Sequence, residues 1–105
     1  MNALFQVKFA TYGALVGDGS AGMRAIDATR SLQQQIDMFS GIVAINNDTM
    51  GKDPAIGTKK HFGAIVTVNG LDIPFACEEG RTIDFHQAAL MNPDQIVAAA
   101  NNIVR

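Results

Sequence analysis

Asn69-Gly70 stands between two runs of strand-like residues, Phe62 to Val68 and Leu71 to Cys77. That dipeptide is the strongest short hairpin signal, because a type I′ turn needs positive φ at both central positions. A two-residue connection joins its strands antiparallel, whereas a parallel crossover needs a dozen residues or more. At least part of the sheet is therefore antiparallel, which points to α+β rather than a doubly wound α/β architecture. Leu71, Ile73, Phe75 and Cys77 fall on one face of the second strand. Pro74 has no N–H to give to a ladder, so that strand belongs at an edge or pairs on one side only.

The rest of the chain supplies elements around this hairpin. Residues 4 to 11 alternate, with Phe5, Val7 and Phe9 on one face and Gln6 and Lys8 on the other, the pattern of a half-buried strand. Residues 13 to 22 (GALVGDGSAG) hold four glycines and read as a loop. From Asp27 to Phe39 the period becomes helical, with Leu32, Ile36 and Phe39 in phase, Asp27 or Thr29 as the cap and Gly41 as the stop. Ile42 to Ile45 reads as a short buried strand, Glu78 to Arg81 as a charged turn and Thr82 to Phe85 as a last short strand. Asn92, Pro93 and Gln95 form a compact helix start, and the helix over 93–104 is apolar on more than one face. The expected fold is a small antiparallel or mixed sheet, or a sandwich, with one internal helix and a C-terminal amphipathic helix. It forms one domain over 1–105 with its core in 4–85.

Composition restricts the function classes. The 105 residues carry a net charge of −2, too little Lys and Arg excess for a face that grips a nucleic-acid polymer. The single cysteine, Cys77, forbids an intrachain disulfide. The N-terminus lacks a signal-peptide pattern, and no apolar run approaches the ~20 residues of a membrane helix, so a soluble, cytoplasmic protein without a membrane partner is expected. A domain of this size buries a limited share of its surface, and the apolar C-terminal helix predicts a homo-oligomer assembled through it.

The candidate chemistry lies in residues 46 to 60, NNDTMGKDPAIGTKK, a polar stretch rich in turn formers. Lys52, Lys59 and Lys60 offer cations and Asn46 and Asn47 offer amides, a set suited to a small anionic ligand. Arg81 adds a further cation, and Phe62 or Tyr12 could stack on a base. Elsewhere the chemistry thins out. GDGSAG over 17–22 matches a dinucleotide fingerprint in letters, but the helix begins several residues later and no doubly wound sheet surrounds it. His61 and His86 lack partners at metal-binding spacing, so no metal is expected. No serine, cysteine or carboxylate pair assembles a nucleophile, base and orienting group, so a non-enzyme without a cofactor is expected.

Several of these residues fall in a recurring order: Tyr12-Gly13, Asp27-Ala28-Thr29, Asn46-Asn47, Gly51-x-Asp53-Pro54-Ala55-x-Gly57-x-x-Lys60, Asn69-Gly70, and Glu79-Gly80 before Ile83. Over residues 5 to 85 this resembles the small β-rich module at the C-terminus of a DnaJ-like mitochondrial co-chaperone family. The chain departs from it in a longer glycine loop, in Lys52 where a small residue is usual, and in the added C-terminal helix. The resemblance implies a sandwich-like β-domain and no catalytic residues. It also suggests that Asp53, Pro54, Gly57 and Asn47 shape the loop. In scale and organisation only, the chain is similar to phage counter-defence proteins that sequester cyclic-nucleotide signals. The leading expectation is a non-catalytic, homo-oligomeric protein that binds a nucleotide-like anion. The alternative is a structural or protein-interaction module using the edge strand and the C-terminal helix. A nucleotide-using enzyme ranks third.

Overall fold

A computed structural model describes residues 5–15 and 24–88. The GDGSAG loop and the helix expected over 93–104 lie outside the described residues.

The hairpin forms as expected. Strand β4 (Lys60–Val68) turns through Asn69 (φ 50) and Gly70 (φ 87) into β5 (Leu71–Glu78), with Val68 opposite Leu71. Strand β1 (Phe5–Ala14) lies antiparallel on the other side of β4, and β2 (Ala25–Asp27) pairs with the far end of β1. The order is β2-β1-β4-β5, all antiparallel, which leaves β5 at an edge as Pro74 requires. Two details differ from the sequence reading. β1 continues through Gly13 and Ala14, where a loop was expected, because Gly13 lets β2 come close. A Cβ there would strike Ala25 and sit 2.6 Å from the Arg24 carbonyl oxygen. A β-bulge between Val7 and Phe9 also turns Lys8 and Phe9 outward together, so Phe9 does not share the core face with Val7.

One face of this sheet carries the core. Helix α1 (Thr29–Met38) buries Leu32 and Ile36 against it, one turn apart as the helical period demands. Each such side chain contributes about 1.5–3 kcal/mol by leaving water. The cap is shared: Asp27 Oδ1 accepts from the Thr29 N–H (2.9 Å) and from its hydroxyl (2.6 Å), while Ala28 occupies the N-cap position. Ser40 (φ 56) and Gly41 (φ 85) end the helix in left-handed conformations, and the Gly41 N–H donates to the Ile36 carbonyl. Strand β3 (Ile42–Ala44) then pairs with β6 (Thr82–Asp84) in a second, two-stranded sheet. Helix α3 (Phe85–Ala88) follows, and Phe85 packs edge-on against Phe75 with ring centroids 4.7 Å apart.

The other edge of the main sheet is closed by α1 rather than by a strand. Beyond the three pairs with β2, the Val7 N–H donates to Gln33 Oε1 (2.7 Å) and Gln33 Nε2 donates to the Phe5 carbonyl (3.2 Å). The Ala10 N–H donates to Thr29 Oγ1 (3.0 Å). A glutamine amide thus fills the place of a neighbouring strand's peptide group.

Candidate functional site

The stretch from 46 to 60 is not a plain loop. Asn46 caps a one-turn helix, α2 (Asn47–Met50), through a reciprocal capping box: its Oδ1 accepts from the Thr49 N–H (2.9 Å) and its N–H donates to Thr49 Oγ1 (3.1 Å). Met50 points into the core and Gly51 (φ 112) stops the turn. The stretch expected as a loop therefore contains one helical turn. The Asn46-x-x-Thr49 spacing was the available signal.

Under the stretch lies a cluster of polar groups built around Lys60. Phe62 faces the core from β4, and Lys60, two residues earlier on the same strand, faces inward with it and is only 3% exposed. A buried ammonium needs partners. Lys60 Nζ lies 2.9 Å from Asp53 Oδ1 and 3.5 Å from Glu79 Oε1, and donates to the Ala55 carbonyl at 3.3 Å. The Lys60 N–H also donates to Glu79 Oε1 (2.7 Å), and the Glu79 N–H returns a bond to the Lys60 carbonyl. Asp53 Oδ1 takes the Ala55 N–H as well (3.0 Å), which folds the Asp53-Pro54-Ala55 turn over the ammonium. The Tyr12 hydroxyl shares its single hydrogen between Asn47 Oδ1 (2.7 Å) and the second Glu79 oxygen (3.3 Å). Ile45 exchanges backbone bonds with Arg81 and Gly80, tying α2 to the turn that holds Glu79.

Charge and burial act together here. The hydrogen bond from Lys60 holds the Asp53 carboxyl below its ordinary range, and the same bond raises the Lys60 ammonium above its own. Burial, reinforced by Glu79, pushes the Tyr12 phenol well above its ordinary value. Each residue of the cluster is bonded to another, so the cluster works as a brace that pins the 46–60 stretch to β1, β4 and the β5–β6 turn.

The ligand residues expected from sequence therefore separate. Asn46 is spent on its cap, Asn47 on Tyr12 and Lys60 on the two carboxylates. Phe62 is 3% exposed, and Tyr12 is fully buried, so neither can stack on a base. Lys59, the neighbour of Lys60 on the opposite face, pairs with Glu78 at the surface. Lys52 and Arg81 are exposed. Glu79 was not among the expected site residues, and Tyr12 was expected only as a surface that stacks on a base. The lysine two positions before a core phenylalanine on one strand was the clue that carboxylates must be buried nearby. Cys77 is half-buried, and burial pushes its thiol up to about 11, which keeps it protonated and unreactive at neutral pH. Among the described residues, no three His, Cys, Asp or Glu side chains gather as a metal-holding group. No helix among them is long and apolar enough to cross a membrane.

The outer face of the main sheet is different in character. The bulge and the strand alternation expose Phe9 (50%), Ile65 (38%) and Pro74 in one row across β1, β4 and β5. The adjacent row is small: Thr11, Gly63 and Ala76. On the other side of the apolar row, Lys8 reaches across β4 to Asp72 (2.8 Å), whose other oxygen accepts from Thr67 (2.5 Å).

Fold and cluster together define a small α+β module with a polar brace inside and an apolar sheet face outside. No family model, no curated protein and no solved structure matches the chain.

Proposed function

We propose that the chain is a non-catalytic protein-interaction module that binds its partner through the outer face of the main sheet. The observation that carries this reading is the exposed row Phe9–Ile65–Pro74, three apolar side chains side by side on the solvent face of a sheet. Antiparallel sheets ordinarily present polar residues there, and contiguous apolar patches mark contact surfaces. The β5 edge is the weaker candidate. Pro74 has no N–H, so it stands where its nitrogen faces away from β4, and the middle of the open edge then lacks a donor. A photo-crosslinking residue placed at Ile65 in the native host tests the reading. One discrete adduct is expected from position 65 and none from Ile56, an apolar loop residue 88% exposed. No adduct at 65 sinks it.

A second reading keeps the small anionic ligand, supported by the exposure of Lys52, Lys59 and Arg81 around the braced stretch. It predicts thermal stabilisation by cyclic nucleotides that Lys52→Ala with Arg81→Ala removes. A melting temperature unmoved by millimolar nucleotide excludes it.

A further inference from the structure

We infer that residues 93–104 of this chain dock on a corner of its own fold, the exposed apolar cluster Met38, Phe39 and Ile42. The inference is independent of the outer face of the main sheet. Met38 is 69%, Phe39 53% and Ile42 50% exposed, and the three stand within one short stretch where α1 ends and β3 begins. Large apolar side chains gathered in this way mark a contact surface rather than ordinary scatter. The Ile42 N–H donates to the Phe39 carbonyl (3.1 Å), so the chain turns tightly and keeps the two residues together. Ile42 is registered opposite Asp84, which places both on the face of the β3–β6 pair turned away from the core residues Val43 and Ile83. On that face Asp84 is buried, and its Oδ1 accepts from the Gln87 N–H (3.0 Å) at the start of α3. Ile42 and Ala44 on the same face stay exposed.

The chain itself leads its next segment to this corner. The Phe85 N–H donates to the Gly41 carbonyl (2.8 Å), and a Cβ on Gly41 would stand 3.2 Å from the His86 nitrogen. The first turn of α3 therefore lies on the residue beside Ile42. α3 ends at Ala88, and residues 89–92 then lead to Pro93, where the sequence starts a helix. Five Cα steps span at most about 18 Å, so that helix begins within reach of the corner. A connection this short is ordinary between packed helices. At about 100° per residue, Ile96, Val97, Ala100, Ile103 and Val104 fall within an arc of about 120°. Asp94, Gln95, Asn101 and Asn102 lie outside it. An arc of that kind needs an apolar surface, and a short tether presents one at an effective concentration of about a millimolar. The helix so docked spends its apolar arc within one chain, which withdraws the surface through which copies were expected to assemble.

Disulfide trapping in the full chain carrying Cys77→Ala tests the docking. Ser40→Cys and Ala44→Cys flank the cluster without removing it. Each is paired in turn with Ile96→Cys, Ala100→Cys or Ile103→Cys from the arc, and with Ala98→Cys or Asn102→Cys from the opposite side. A disulfide needs Cα atoms within about 7 Å. At least one arc pair is expected to close within a single chain of 11.2 kDa, and no pair from the opposite side. Hydrogen exchange gives a second measure. Amides 97–104 are expected to be protected in the wild type. Burying the exposed half of Phe39 or Ile42 contributes about a factor of ten, so Phe39→Asp and Ile42→Asp each lower that protection about tenfold, whereas Ile65→Asp leaves it unchanged. Retained protection of β1, β4 and β5 separates loss of docking from unfolding, and either variant alone suffices if the other unfolds. The inference is overturned if amides 97–104 exchange as fast in the native chain as after denaturation, or if both aspartate variants leave their protection untouched. Disulfides formed only between two chains make a second copy the occupant and overturn it as well. So do equal closure on both sides of the helix and closure at no arc pair.

Discussion

Tyr12→Phe removes one oxygen from the middle of the brace and almost nothing else. The ring stays, so the core loses no volume and no cavity opens. Asn47 Oδ1 and one Glu79 oxygen lose their donor at 2.7 and 3.3 Å. A net hydrogen bond between neutral groups contributes about 0.5–1.5 kcal/mol, and an acceptor stranded away from water costs about 1–3. Asn47 and Glu79 are only partly buried, so water recovers some of that loss. The expected destabilisation is about 2 kcal/mol, which for a domain of this size lowers the melting temperature by roughly 8–16 °C. Urea unfolding followed by far-ultraviolet circular dichroism measures it, since the substitution removes the only tyrosine from a chain without tryptophan. A double-mutant cycle with Asn47→Ala should show a coupling near 1 kcal/mol. A loss below about 0.5 kcal/mol, or strict additivity, would refute the claim that this hydroxyl joins β1 to the 46–60 stretch.

Three further outcomes follow from the same geometry. Asp53 is depressed, so its stabilisation holds above the unfolded value of 3.8 and is lost on acidification; Lys60 and Tyr12 are raised, so theirs hold below 10.5 and 10.0 and are lost above them. Stability should be flat between roughly pH 5 and 9 and fall on both sides, with the acid limb shallower in Asp53→Asn; an acid limb unchanged by that substitution counts against the Lys60 pairing. Cys77, raised from 9.0 to about 11, should react with a disulfide reagent at pH 8 roughly 100-fold more slowly in the native protein than after denaturation, and equal rates would contradict its burial. Gly13→Ala drives a methyl group into Ala25 and should cost about 1–3 kcal/mol, read by thermal melting, whereas an unchanged midpoint would show that β2 is not held there.

Those parts of the fold fixed by local chemistry were legible. Asn69-Gly70 needs no distant partner to define its turn, and Leu32 and Ile36 declare a helix by spacing alone. What depended on non-local pairing was not. β2 has three residues and exists because Gly13 lets it approach, and a bulge at Lys8 has no signature in alternating letters. The site shows the same division. The resemblance marked Asp53 and Asn47 as residues that shape the loop; the Asp53 bond to the Ala55 N–H is local, whereas Asn47 acts through the distant Tyr12 hydroxyl. The fates of Lys59 and Lys60 depend on strand phase: adjacent and identical in type, they stand on opposite faces, one in solvent and one under a turn. Counting by twos from Phe62 separates them, but only once the strand is known to begin as early as Lys60.

The Gln33 amide that completes β1 has a bearing on how this protein fails. A strand edge with free N–H and C=O groups is a template on which another chain can add. Between Phe5 and Ala10 that edge is occupied by side chains of α1, a ten-residue helix too short to persist in water without its tertiary contacts. Fraying of α1 bares the backbone and the apolar residues Phe5 and Val7 in one event. The helix is the guard against aggregation as well as a wall of the core, and any unfolding that begins at α1 also exposes a sticky edge.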